Sequence, residues 1–345
     1  MIWCNVISFS GVTLVINTCI INTKTIKLQL LPNKSDMRYT LLLLLNIYIG
    51  CFNLTAQQSD EFNQLFDLYR KNKDIQTELA HLYDSNSRNQ IFEKCWSYTK
   101  SDIETDRYLA YQIIGDISAD TSDLRLQRNA IYYLINEGLN DQSTAIISVA
   151  IDYLDLVSVD AFDERSKNRF ANIIMSSPPH YKQILMLAGK LQMHQLVPHL
   201  EHRLFNDSTL NKKDMWAIQL ALARMDDPEM VDKCIKQVAH IGINDLVIYQ
   251  LIPDLLYLKN RQVFDFLLNE LSHPNMNCTS ADPDNEVTID CGYRLAELVS
   301  PFIIGFPISV SASGDLNCED YHQALHTIRS WIIENRLDYQ TNFPN

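Results

Sequence analysis

Glycine is scarce, with 9 in 345 residues, about 3% against the roughly 7% usual in folded chains. Two-residue hairpins and phosphate-cradling loops depend on glycine for their positive-φ corners. Its scarcity therefore argues against hairpin-rich β folds and against Rossmann or P-loop sites. Basic charge is short as well: 29 Lys and Arg face 42 Asp and Glu, a formal net charge of −13. Such a chain raises no positive field to gather phosphates, so bulk electrostatics exclude nucleic acid and anionic membrane surfaces as partners. Catalytic signatures are missing too. There is no Gly-x-Ser-x-Gly, no Ser-x-x-Lys with its partner motifs, no His-Glu-x-x-His and no Cys-x-x-Cys pair.

What is present is ordinary core material. Hydrophobic residues make up 46% and charged residues 21%, which rules against wholesale disorder. The length suits two compact domains or one elongated one.

Two apolar stretches come first. Residues 2–21 carry no charge but are diluted by Asn5, Ser8, Ser10, Thr13, Asn17 and Thr18. The second stretch begins at Met37-Arg38, continues through the apolar run Tyr39 to Ile49 with five consecutive leucines, and ends in small residues, the shape of a secretory signal. Met37 is accordingly the expected physiological start. Residues 1–36 are read as an upstream extension or weak anchor and 37–56 as a signal peptide. Cleavage after Ala56 leaves Gln57 as the mature start, whereas Ile49-Gly50-Cys51 resembles a weak lipobox that would make the chain a lipoprotein anchored at Cys51. Tyr48 fits that motif poorly, and plain secretion is favoured. Either way the chain is expected to be exported, periplasmic or extracellular.

From Ser59 onward apolar residues recur at helical spacing and alternating strand patterns are nearly absent. Residues 57–103 are expected to form N-terminal helices, 104–272 a run of helix pairs, and 273–345 a capping repeat with long loops. Pairs are expected over about 104–138 and 141–176, the second closed by Pro178-Pro179. The next three carry a repeat. Leu191, Leu196, Val197 and Leu200 recur 34 residues on as Met225, Met230, Val231 and Cys234, and 33 further on as Leu258, Val263, Phe264 and Leu267. Gly189 falls against Ala223 in that register, small residues suited to a close helix approach. A period of this size marks helix pairs that cannot bury their faces alone and must stack.

The stretch Met225-Asp226-Asp227-Pro228-Glu229-Met230-Val231 resembles the turn of HEAT and armadillo-like repeats, with Asp227 as N-cap and Pro228 at the first helical position. Tetratricopeptide repeats share the period, but their Trp-x-x-Leu-Gly-x-x-Tyr signature is missing. The resemblance covers about 104–272. It implies an all-α fold, a right-handed α-solenoid of about five to six stacked helix pairs with an elaborated C-terminal cap. It also implies protein binding along a concave face lined by the second helices, at 195–206, 229–240 and 260–272, and it brings no catalytic residues.

Export lets disulfides persist. Cys95 and Cys234 sit at apolar helix positions and read as small buried hydrophobes. Cys278, Cys291 and Cys318 crowd the last third, an odd set expected to give one disulfide and a spare, Cys278 with Cys291 or Cys291 with Cys318. Zinc on these three and His273 is disfavoured without a Cys-x-x-Cys pair. His199 and His202 share a helix face but lack a third ligand. His322 and His326 lie near the start of the last helix, where protonated histidine is unfavourable. Asp282, Asp284 and Glu286 alternate as calcium ligands might, without the glycine that an EF-hand loop requires. No metal or cofactor is expected. The functional expectation is a protein-interaction scaffold without catalysis, its acidity matched to a partner with a basic patch. The alternative is an exported enzyme or accessory hydrolase subunit using groove carboxylates.

Overall fold

The computed structural model describes residues 61–120, 122–280 and 287–343, and the backbone of two strands, β1 (Trp3–Phe9) and β2 (Val12–Thr18). The leader segment 37–56, with Cys51, lies outside the described residues, as do Asp282, Asp284 and Glu286. The chain divides into two compact units, Met1–Lys71 and Asn72–Asn345. In the first, β1 and β2 pair antiparallel with Trp3 opposite Thr18 and Phe9 opposite Val12. Within the segment read as an extension or anchor, residues 3–9 and 12–18 are thus strands. Its Val, Ile and Thr residues are stiff at χ1 and favour strands. Helix α1 (61–70) follows.

The second unit is built almost wholly from helices. In chain order they are α2 (Gln76–Ser85), α3 (Arg88–Tyr98), α4 (Glu104–Ala119), α5 (Leu124–Asn136), α6 (Thr144–Leu156), α7 (Glu164–Met175), α8 (Tyr181–Lys190), α9 (Val197–Asn206), α10 (Lys212–Arg224), α11 (Pro228–Ile241), α12 (Asp245–Gln250), α13 (Ile252–Tyr257), α14 (Arg261–Ser272), α15 (Gly292–Val299) and α16 (Tyr321–Asn335). Local chemistry sets their starts. Asp123, Asp163, Asn211, Asp227, Asn244, Asn260 and Asp320 each accept a backbone N–H of the first turn, and Ser87 forms a reciprocal capping box with Gln90. Pro253 separates α12 from α13, because its missing N–H and its ring interrupt the helical ladder.

The helix ends show how a glycine-poor chain turns. Gln192, Asp226 and Lys259 all hold positive φ, at 52°, 68° and 49°. They stand at the 34- and 33-residue offsets of the repeat. Each follows a buried residue, Leu191, Met225 or Leu258, and each precedes a second helix whose Leu196, Met230 or Val263 is buried in turn. Local conformation therefore repeats along with burial.

First helices stack on first helices, α4 on α6, α6 on α8 and α8 on α10, and second helices on second helices, α5 on α7 and α11 on α14. Lys182 on α8 reaches Asp254 on α13 at 2.7 Å, and the Tyr257 hydroxyl donates to the Met186 carbonyl at 2.6 Å, both across the intervening α10. The first helices α8 and α13 are thus tied to one another past α10.

The last pair is elaborated. Strand β3 (Cys278–Thr279) pairs with β4 (Thr288–Ile289), and β5 (Ile303–Ile304) pairs with β6 (Gln340–Thr341). Asp290 is buried and accepts from Arg329 at 2.7 Å and from the backbone N–H of Gly292 at 2.9 Å, locking the loop onto α16. No helix among the described residues is long and apolar enough to cross a membrane.

Candidate functional site

Beside the first helices lies a cavity of about 350 Å³. Helix α6 contributes Ile151, Asp152 and Asp155, α8 contributes Gln183, Met186, Leu187 and Lys190, and Arg224, Tyr257 and Lys259 close the wall. Lys190, Arg224 and Tyr257 hold the same place in three successive pairs, each at the end of a first helix. Stacking brings them together.

Two of these residues do the work that cations do at a helix C-terminus, where unpaired carbonyls carry partial negative charge. The Lys190 ammonium donates to the Asp155 carbonyl and, at 3.1 Å, to its carboxylate. Arg224 donates to the Leu258 carbonyl at 3.2 Å, its guanidinium carbon 5.8 Å from the centre of the Tyr257 ring. Its Nε is buried without a hydrogen-bond partner. Lys259 is held below the usual lysine range, first by burial and then by the neighbouring charges of Arg224 and Lys190, with Asp155 opposing. Burial pushes the Tyr257 phenol far up, so it stays a hydrogen-bond donor at any physiological pH. The wall thus concentrates positive charge on a chain that is acidic as a whole.

Two carboxylates brace the same side. Asp116 on α4 accepts from Tyr83 on α2 at 3.2 Å and from Tyr153 on α6 at 2.8 Å. Asp254 is buried and accepts from Lys182 at 2.7 Å and from the Trp216 indole at 2.6 Å. Both have their lone pairs engaged by neighbouring helices, an arrangement that ties repeats together.

Grooves also flank the second helices. One of about 690 Å³ runs between α10 and α11, lined by Met215, Trp216, Ile241, Lys212, Lys233, Lys236 and His240 among others. Another, of about 790 Å³, lies between α14 and α16.

The residues singled out from sequence fall as follows. Cys278 and Cys291 are bonded to each other across 13 residues, and Cys318 is a free, half-buried thiol. Cys95 and Cys234 are fully buried, and burial pushes the Cys234 thiol up to about 12. Asp227 caps α11, accepting from Glu229 at 2.9 Å and Met230 at 3.2 Å, and Pro228 takes the first helical position. His199 is half-buried with an unpartnered Nε2, and its pKa is lowered by burial and then by Arg203 and His202. His322 meets the Tyr293 hydroxyl at 3.0 Å. His273 bonds its own helix end, at 2.9 Å to the Asn269 carbonyl. Among the described residues, no three His, Cys, Asp or Glu side chains gather as a metal site.

Lys190, Arg224, Tyr257 and Lys259 were not singled out from sequence. The register held a signal: Lys190 recurs as a cation, Arg224, at the same 34-residue offset as the apolar positions. Comparison with family models, curated proteins and solved structures yields no match to this chain.

Proposed function

We propose that the chain is an exported scaffold of HEAT-like helix pairs, a right-handed solenoid of about five to six stacked units, which binds a partner protein and catalyses no reaction itself. The observation that carries this reading is the groove beside α11. Ile241 is 54% exposed at its edge, and Phe205, at 64%, lies 5.9 Å from the Lys233 ammonium that also lines it. Large apolar side chains left in water beside a groove are what protein-binding surfaces present. One wall of the groove, from Asp232 to His240, falls within 229–240, one of the stretches that the repeat resemblance marks for binding.

The formal charge of −13 favours a partner with a basic patch, recruited by long-range steering that salt weakens. Lys212 and Lys233 line the groove, and Lys236 there is paired with Asp232 at 2.6 Å. In this reading a signal peptide at 37–56 directs export, the mature chain begins at Gln57, and any membrane attachment runs through Cys51. No cofactor is required.

The test is affinity capture of tagged residues 57–345 from envelope and extracellular fractions of the source organism, at low and high salt, read by mass spectrometry. A stoichiometric partner released by salt and lost with Ile241→Glu is the expected result. A clean chain, or a partner indifferent to Ile241→Glu, overturns the assignment.

A further inference from the structure

Helices α5 and α7 pack side by side as neighbouring second helices, and locally they reverse the charge of the chain. They carry Arg125, Arg128, Arg165, Lys167 and Arg169 against the carboxylates of Glu164 and of the two caps, Asp123 and Asp163, in a chain of formal net charge −13. Three of the arginines follow the seam where the helices meet. Arg165 reaches across it, its guanidinium carbon 3.5 Å from the centre of the Tyr132 ring. Arg128 lies four residues before Tyr132 on α5, and Arg169 four residues after Arg165 on α7, so each shares a helix face with one member of that contact. The carboxylate beside them is Asp163, which accepts from the Ser166 backbone N–H at 2.8 Å and so serves its own helix start. Burial pushes its carboxyl up, but that bond and the charges of Arg128 and Arg165 hold it below the usual range. Among the described residues, none of the three guanidiniums donates a hydrogen bond or enters an ion pair. Arg128 and Arg169 are half-buried, each with a buried Nε that lacks a partner.

We infer that the seam between α5 and α7 docks an extended acidic segment of a partner protein, its carboxylates on alternate residues paired with Arg128, Arg165 and Arg169. Four residues of helix advance about 6 Å, so the three cations succeed one another in a row rather than converge on one point. An extended chain spaces alternate residues by about 6.6 Å, close to that interval, whereas a single inorganic anion would engage only part of the row. A guanidinium matches a carboxylate in geometry, and stacking on an aromatic face leaves its charge and its edge N–H groups available. The packed stems of Arg128 and Arg169 lower the side-chain entropy that binding costs. Carboxylates outnumber cations over the chain as a whole, so an acidic segment is repelled from most other surfaces. The seam shares no residue with the groove beside α11, and the inference does not rest on that groove.

The test is fluorescence anisotropy on the full-length chain with a labelled peptide of alternating serine and glutamate, its serine and glutamine counterpart, and inorganic phosphate as competitor. At low ionic strength the glutamate peptide is expected to bind in the sub-millimolar range and the glutamine peptide not measurably. Arg128→Gln, Arg165→Gln and Arg169→Gln are each expected to weaken binding about threefold to fivefold, and their melting curves report whether the fold survives. Asp163→Asn keeps an N-cap of equal quality while removing the competing carboxylate, and is expected to tighten binding about threefold, a gain that misfolding cannot imitate. Equal affinity for the two peptides, no binding of the glutamate peptide at millimolar concentration, its displacement by an equal concentration of phosphate, or an Asp163→Asn variant that binds no better each overturns the inference. Lys233→Gln and Ile241→Glu, in the groove beside α11, should leave this affinity unchanged, which separates failure here from failure of the scaffold proposal.

Discussion

Gly115 on α4 packs closely against Tyr153 of α6, and replacing it with alanine tests the stacking directly. A Cβ at this position would lie 2.2 Å from both Cγ and Cδ2 of Tyr153, against ordinary contact of about 3.5–4.0 Å. The ring must therefore move by more than an ångström, yet it is tethered at its far end by the 2.8 Å bond to Asp116. Losing a bond to a charged acceptor costs about 1.5–3 kcal/mol, and forcing a methyl into a packed contact about 1–3 kcal/mol. Alanine regains about 1 kcal/mol of helix propensity over glycine. The net expectation is a loss of about 1.5–5 kcal/mol. The assay is urea unfolding of the four proteins of a double-mutant cycle with Tyr153→Ala. With the ring gone the methyl has room, so Gly115→Ala should stabilise the Tyr153→Ala background by about 0.5–1 kcal/mol. A Gly115→Ala variant that is neutral in the native background, or equally harmful in both, would refute the close approach.

Other consequences follow from the same packing. Arg107 and Asp141 form a two-pronged pair at 2.9 and 3.1 Å with both side chains 6% exposed. Asp141→Ala should cost about 3–5 kcal/mol by leaving a buried guanidinium, while a joint Arg107→Met, Asp141→Leu replacement recovers most of it in thermal melts. Replacing Cys278 and Cys291 by serine should cost up to about 3 kcal/mol by freeing a loop of this length. Non-reducing peptide mapping should find these two joined and Cys318 alkylated. His199 is held below its ordinary 6.5 in the fold. The unfolded chain therefore takes up the proton first, and stability falls as pH drops through about 6.5 towards the lower folded value. His199→Gln should flatten the melting temperature between neutral pH and about pH 5, and an unchanged slope would assign the effect elsewhere.

The helical character of 104–272 was legible from apolar spacing, and the start of α11 from the Asp227 cap. The break at Pro253 was not anticipated, although its cause is local. The cavity was not legible, because Asp155, Lys190, Arg224 and Lys259 are spread over about a hundred residues and none belongs to a motif. Gly189 illustrates the limit. Sequence placed it against Ala223 as a small residue at a close approach, but a Cβ there would strike the Tyr257 hydroxyl at 2.1 Å and the Arg224 side chain at 3.1 Å. The crowding residue comes from two pairs on, beyond any pairwise register.

Sequence by itself determined the mostly helical class and the start of α11 at Asp227-Pro228, because caps, proline and apolar periodicity act within a few turns of chain. It also left the cysteine pairing as two alternatives. Only tertiary structure decided that α8 and α13 meet past α10, that Cys278 joins Cys291, and that cations from separate pairs share one wall. Each depends on the angle at which successive pairs pack. That angle is set by the sum of many side-chain contacts between helices, and no short stretch of chain encodes it.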